Sequence, residues 1–379
     1  MNMSSELFTP ITLRGLTLPN RIVIAPMCQY SADDGSATDW HMMHLGGLAI
    51  SGAGLLMIEA TAVERPGRIT HGCLGLYSDS NELALAHVLA ACRRLGNTPI
   101  GIQLGHAGRK AAAQRPWEGG GSLKPEQDSW PTAAPSAIPL DVNWQTPRET
   151  TGADLARIQS AFVDATRRAL RLGLDLVEAH CAHGYLLHTF LSPLSNRRTD
   201  RYGGSVENRM RFPLEVIEAM RAVWPAEKPL GVRVSATDWL EHGFTIEDAV
   251  VFARAAKERG VDYICASSGG ISLKASIPLG PGYQVALAQR IRREAGIATR
   301  AVGLIADPHQ AERIVNSGEA DMVAMARAFL DNLRWVWHAA EALGATASYP
   351  PQYSRARADA WPGAKTARPR PAPSGIAAQ

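Results

Sequence analysis

The sequence predicts a single (β/α)8 barrel, and three observations predict it. Short aliphatic runs alternate with amphipathic helical stretches along most of the chain, the mark of parallel βα units. Eight such runs can be counted, which is the arithmetic of a closed barrel. Polar and special residues gather just past the C-terminal end of nearly every run, where a barrel carries its active site. The length of 379 residues fits one barrel or two smaller domains, and 46% hydrophobic with 20% charged residues is ordinary globular composition.

The eight strand candidates are 22–25, 55–59, 100–104, 174–179, 230–234, 263–266, 300–302 and 322–324. Between them lie helical stretches at 40–51, after a possible Asp39 cap, and at 81–95, 154–172, 206–224 and 246–259. Thr245 and Asp248 form a capping-box variant, and Pro308 after Asp307 suits a first helical turn. The barrel is expected over residues 1–357. Residues 111–150, rich in Gly, Pro and Trp, break the rhythm after the third strand and are expected to cap the catalytic face. Residues 358–379, rich in Ala, Pro and Arg, are expected to be a mobile tail.

A net charge of +3 gives no case for nucleic acid or a membrane surface. Five scattered cysteines with no CxxC pair indicate neither a disulfide framework nor a zinc ribbon. The start lacks a basic-then-apolar leader, no apolar run is long enough to span a bilayer, and a cytoplasmic location is expected.

The fourth strand runs into Glu178-Ala179-His180-Cys181-Ala182-His183-Gly184-Tyr185. Two imidazoles can grip one substrate oxygen, and a nearby phenol can hand over a proton. That is chemistry for polarising a carbonyl or nitro group and protonating its neighbour. A zinc site on His180, His183 and Glu178 is disfavoured, because Glu178 shares a strand face with His180 while His183 falls on the next loop, and no carboxylate cluster completes the shell. Arg233 sits inside the apolar fifth strand and needs an anion, either a structural carboxylate or a cofactor. Gly303 and Arg327, at the last two strand ends, match the usual phosphate position of barrels. His41, His44 and His106 are expected to have structural partners.

These residues resemble the old yellow enzyme family of FMN-dependent ene reductases over about residues 7–353. The resemblance rests on Ala25-Pro26-Met27-Cys28-Gln29-Tyr30, Gln103-Leu104-Gly105-His106-Ala107-Gly108-Arg109-Lys110, His180 to Leu187, and Ser195-Asn196-Arg197-Arg198-Thr199-Asp200-Arg201-Tyr202-Gly203-Gly204. Cys28 and His183, in place of Thr and Asn, resemble the bacterial thermophilic-like branch that includes the xenobiotic reductases.

The resemblance implies NADPH or NADH as hydride donor and an activated alkene as substrate: an α,β-unsaturated ketone, aldehyde, imide or nitroalkene. It implies that Ala25, Pro26, Met27 and Cys28 line the flavin ring, that Ala60 and Gln103 contact its pyrimidine side, and that Arg233 faces N1 and O2. Gly303, Ala326 and Arg327 would hold the phosphate, with Ala326 standing where many relatives have Gly. His180 and His183 would bind the substrate oxygen, Tyr185 would be the proton donor, and Tyr30 would close over the substrate. Arg355, in Gln352-Tyr353-Ser354-Arg355, would reach into a neighbouring subunit's site, which implies a dimer or tetramer. Two rivals are an FMN-dependent tRNA dihydrouridine synthase, which needs a Cys after the third strand, and a metal-dependent barrel aldolase or hydrolase. A dienoyl-CoA reductase would need an iron–sulfur cysteine cluster that is absent from the sequence.

Overall fold

The computed structural model describes residues 5–367. Eight parallel strands close into a barrel. They are β1 (Ile22–Ile24), β2 (Leu55–Ala62), β3 (Ile100–Gly105), β4 (Leu176–Cys181), β5 (Leu230–Ser235), β6 (Tyr263–Ser267), β7 (Ala298–Ala301) and β8 (Met322–Met325). All eight expected strands form, with ends shifted by up to three residues. Alternation along them explains the continuous apolar runs. Val23, Leu55, Met57, Leu176, Tyr263 and Cys265 belong to one apolar cluster inside the barrel. Their neighbours Ile22, Ile24, Leu56, Ile58 and Val177 join a larger cluster with the helices outside. Both faces of each strand are therefore buried. An N-terminal hairpin pairs Ile11–Leu13 with Leu16–Leu18, and its Leu13 and Leu18 pack on the inner cluster.

The helices are α1 (Asp39–Ala49), α2 (Asp79–Leu95), α3 (Gly152–Arg171), α4 (Leu186–Leu191), α5 (Val206–Arg209), α6 (Arg211–Val223), α7 (Ile246–Glu258), α8 (Val285–Ala295), α9 (Pro308–Asn316), α10 (Arg327–Asp331) and α11 (Trp335–Leu343). Two expectations need correction. The cap of α1 is Thr38, not Asp39, and its backbone N–H donates to His41 Nδ1 at 3.0 Å. Asp39 instead enters the first turn, where its charge favours the helix N-terminus. The single helix expected over 206–224 divides at Met210. Pro213 has no N–H to give to the turn before it, so it is tolerated only at the start of a new helix. The capping box at Thr245 and the helix start at Pro308 form as expected: Asp248 N–H donates to Thr245 Oγ1 at 3.3 Å, and Asp307 caps α9, accepting the Gln310 N–H at 2.8 Å.

Residues 111–150 carry two 3-10 turns and a short strand pair, Ala133–Ala134 with Arg148–Glu149. Trp130 of this segment stacks under Arg68 and donates its indole N–H to Pro66, in the loop after β2. Residues 364–367 form a short helix with Ala364 buried. The rest of the expected tail, 368–379, lies outside the described residues. Among the described residues no helix is long and apolar enough to cross a membrane.

Candidate active site

The barrel interior holds a buried polar network that decides what Arg233 can do. Glu178 Oε1 accepts a hydrogen bond from Gln103 Nε2 at 2.7 Å. Its Oε2 accepts from the Tyr263 hydroxyl at 2.6 Å and from Arg300 Nη2. Glu178 and Arg300 are both fully buried. Gly231 on the neighbouring strand makes room, since a Cβ there would come within 2.1 Å of the Tyr263 ring. With both oxygens of Glu178 taken, no carboxylate is left for Arg233. Its Nε is buried without a hydrogen-bond partner, and it forms no ion pair among the described residues.

Arg233 opens instead on a cavity of about 350 Å³ beside the ends of β5 to β8 and β1. Ala25, His183, Ser267, Gln284, Gly303 and Arg327 share that lining, as does Ala326. Gly303 has φ +117, and a Cβ there would meet Gln284 Nε2 at 2.9 Å. Such a backbone is open to close approach by a ligand. Arg327 is exposed and makes no ion pair among the described residues. The partnerless Nε of half-buried Arg233 and the exposed, unpaired Arg327 line one hollow, which suits a group that carries negative charge.

A smaller hollow lies against the ends of β2 and β3, lined by Ala60, Cys73, His180 and Tyr185. The rings of His180 and Tyr185 meet edge to face at 4.8 Å, and those of His180 and His183 at 5.1 Å. His180 Nδ1 accepts from the Ala182 N–H at 3.2 Å, and His183 Nε2 lies 2.7 Å from Ser267 Oγ. The ring nitrogens without a protein partner are therefore Nε2 of His180 and Nδ1 of His183. Burial, and next the Arg233 charge, holds both imidazoles well below the ordinary histidine range, so both are neutral. Burial also drives the Tyr185 phenol well above its ordinary value, so it keeps its proton.

The loop after β1 is anchored from below. A bulge in β2 between Ile58 and Ala60 frees Glu59 from the ladder. Glu59 is buried, 3.3 Å from His41 Nε2, and accepts the Gln29 N–H at 3.1 Å. The Gln29 side chain donates to Met27 O at 2.9 Å and accepts from Trp40 Nε1 at 3.0 Å. That holds Pro26, Met27 and Cys28 at the barrel mouth, and burial followed by the Glu59 charge keeps the Cys28 thiol protonated. Tyr30 takes φ +51, and its ring meets Trp117 of the capping segment at 6.0 Å.

Gln103 gives one amide N–H to Glu178, which leaves its carbonyl oxygen and its second N–H uncommitted. Arg355 lies on the exposed 3-10 turn Pro351–Ala356 and lines neither hollow. His106 has a structural partner, as expected: its Nε2 is 2.9 Å from Glu64. No sequence signal points to Gln284, which sits in an aperiodic loop, or to the pairing of Arg300 with Glu178 across the barrel.

Known proteins resemble this chain over most of its length. A family model described as NADH:flavin oxidoreductase / NADH oxidase matches residues 6–345. The chain is 47% identical over 355 residues to an NADPH dehydrogenase of Geobacillus sp. (strain WCH70), covering 93% of this chain and 99% of that one. It belongs to this family, that of old yellow enzyme. An NADPH dehydrogenase of Bacillus subtilis (strain 168) is 44% identical over 355 residues, with 93% and 99% covered. Among solved structures, morphinone reductase in complex with tetrahydroNAD superposes with a TM-score of 0.74 at 28% identity, over 91% of this chain and 93% of that one. This old yellow enzyme relative is accordingly an FMN-dependent NAD(P)H oxidoreductase. The hollow lined by the orphaned Arg233 Nε, the open backbone of Gly303 and the unpaired Arg327 fits that cofactor.

Proposed function

We propose that the chain reduces the activated C=C bond of α,β-unsaturated ketones, aldehydes, imides and nitroalkenes. The observation that carries this reading is a pair of neutral imidazoles, each with one free ring nitrogen, beside a protonated phenol, one of them sharing a cavity with an unpaired guanidinium. Arg233 would hold the N1 and O2 end of the flavin, where negative charge collects on reduction, and Gly303, Ala326 and Arg327 its phosphate. Ala25, Pro26, Met27, Cys28 and Ala60 would line the ring, with the carbonyl oxygen of Gln103 offered to an N–H on its pyrimidine side. Bound FMN supplies a hydride to the β-carbon of the alkene.

The protein side of the reaction follows from the atoms already placed. His180 and His183 bind the electron-withdrawing oxygen and draw charge onto it. Their burial excludes water from that oxygen and strengthens both bonds. Tyr185 then gives its proton to the α-carbon. Tyr30 covers the substrate from the side of the capping segment. The nicotinamide and the alkene occupy the same pocket in turn.

Self-association completes the site in this reading. Trp40 and Met43 on α1 are 46% and 63% exposed, and Leu330 and Leu333 on or beside α10 are 51% and 37% exposed. Gly47, one turn on from Met43, lies against Leu333, so α1 adjoins the end of α10, and in this reading these side chains make one apolar patch. The patch would bury itself against a second copy, and Arg355 would reach that copy's pocket.

The test is anaerobic. NADPH or NADH should bleach the yellow protein, and cyclohexenone should restore the colour with one saturated ketone formed per flavin. A protein that bleaches but returns only with oxygen would remove the alkene from this proposal.

A further inference from the structure

His183 is gripped at three atoms by side chains from two strands and from the 3-10 turn after a third. Its backbone has φ +60, a left-handed conformation that a non-glycine residue holds only when its surroundings insist. Its N–H donates to Ser235 Oγ at 2.9 Å, and its carbonyl accepts from Lys110 Nζ at 2.7 Å. Its ring Nε2 lies 2.7 Å from Ser267 Oγ. Gly270 packs so closely that a Cβ there would fall 2.5 Å from His183 Cα. Ser235 and Ser267 are register partners at the ends of β5 and β6, so the two serines act on one residue from adjacent strands.

The two imidazoles are thus fixed by opposite nitrogens. His180 accepts at Nδ1, so its proton is on Nε2, the free nitrogen. For His183 to donate to the same oxygen, its proton must be on Nδ1, and Nε2 must accept from Ser267. The Ser267 hydroxyl has one proton and two acceptors in range. His183 Nε2 is at 2.7 Å, and Gln284 Oε1 is at 3.4 Å. The longer contact lies outside the normal range for O–H···O bonds, and Gln284 Oε1 already accepts from Ser268 at 2.6 Å. If the Gln284 amide is turned the other way, it donates to both serines and again leaves the Ser267 proton to His183.

We infer that Ser267 is a positioning residue that holds His183 as its Nδ1–H tautomer, so that both imidazoles donate to one substrate oxygen. The inference rests on the reading of His183 as a ligand of that oxygen. An Nε2–H tautomer would present a lone pair to the oxygen and repel it.

The test uses the holoenzyme labelled with 15N in histidine. Two-bond 1H–15N correlations report which ring nitrogen carries the proton, and the His183 signal is assigned by its loss in His183→Ala. The expected result is a protonated Nδ1 in His183 and a protonated Nε2 in His180. Ser267→Ala should release His183 to the other tautomer and leave His180 unchanged, and Ser267→Thr, which keeps the hydroxyl, should restore it. A protonated Nε2 in unsubstituted His183 overturns the inference.

Binding gives a second arm. Ser267→Ala should weaken a bound phenol about tenfold, and by less than about twofold when His183 is already Ala. Full additivity of the two substitutions overturns the inference as well. The tautomer is read with no alkene present, so a protein with the expected tautomer but no ene reduction would sink the proposed activity and not this assignment.

Discussion

Arg300 holds the carboxylate of Glu178 with both side chains fully buried, and this pairing is what leaves Arg233 without a partner. Arg300 is fully buried and holds an anion, whereas Arg233 is half-buried and its buried Nε has no partner. Removing Arg300 strands a buried carboxylate, which typically costs about 3–5 kcal/mol. Arg300→Met should therefore lower the unfolding free energy by about that amount in urea denaturation, and Glu178→Gln added to it should recover part of the loss. A cost below about 1 kcal/mol for Arg300→Met would show that the pair is not needed to satisfy Glu178.

Arg233 has the opposite profile. Its Nε makes no bond in the protein, so replacing it removes nothing that the fold uses. Arg233→Met should leave the flavin-free protein at least as stable, and should weaken flavin binding about 10- to 100-fold, the worth of one or two hydrogen bonds to a charged group. Flavin fluorescence titration of the stripped protein measures it. Equal flavin affinity in the variant would move the anionic end of the cofactor elsewhere.

Much of this was legible in the sequence because strand alternation and barrel topology are local or arithmetic signals. Counting apolar runs located all eight strands, and the last residue of each run pointed at the mouth. His180, His183 and Tyr185 were visible because their spacing puts them on one strand end and the loop after it. What stayed hidden depends on pairings across the barrel. Nothing near Arg300 announces that its partner is Glu178, 122 positions earlier. The bond from Gln103 to the same carboxylate is hidden in the same way. The split at Met210 was legible in principle, because Pro213 was in plain view.

Several histidines are held neutral, which sets how the fold responds to acid. Burial brings His44 down to about 4, and burial with the Arg233 charge holds His180 and His183 well below the ordinary value. The unfolded chain takes up protons at these sites as the pH falls through about 6.5, and the folded chain does not. Stability is therefore complete above that pH and is lost as the pH drops from about 6.5 toward 4, with each of His180 and His183 adding about 1.4 kcal/mol per pH unit to the slope. Urea midpoints across that window should fall, and should fall less steeply in His180→Gln. An identical slope in the variant would mean that His180 is protonated in the folded state too.

The exposed turn that carries Arg355 is moored by Tyr353, whose ring lies 4.5 Å from the Arg334 guanidinium, itself 4.5 Å from the Trp337 ring. If Arg355 completes a neighbour's pocket, Arg355→Ala should raise KM for the alkene about 3- to 30-fold, while kcat and the oligomeric state stay as they were. Met43→Lys, which puts a charge into the apolar patch, should instead shift sedimentation toward the monomer and raise KM at low protein concentration. A KM that ignores both changes would place the whole pocket within one chain.

Tyr185 separates proton delivery from everything else in the site. Its hydroxyl makes no hydrogen bond among the described residues, and its ring is set edge-on to His180 with the Lys110 ammonium 5.8 Å away. Lys110 is largely desolvated, which brings it down to about 8 and leaves it mostly charged at neutral pH. Tyr185→Phe keeps the ring, its packing and the phenol-binding imidazoles, and takes away only the proton. Reduction of the flavin by NADPH needs no such proton and should stay within about threefold of the parent rate. Reoxidation by cyclohexenone should slow by about 10²- to 10⁴-fold, the usual worth of a general acid. A nitroalkene, whose charged product is stable without prompt protonation, should suffer far less. Stopped-flow measurement of the two half-reactions decides the matter: equal loss in both would make Tyr185 a binding residue, and no loss in the second would give the proton to solvent.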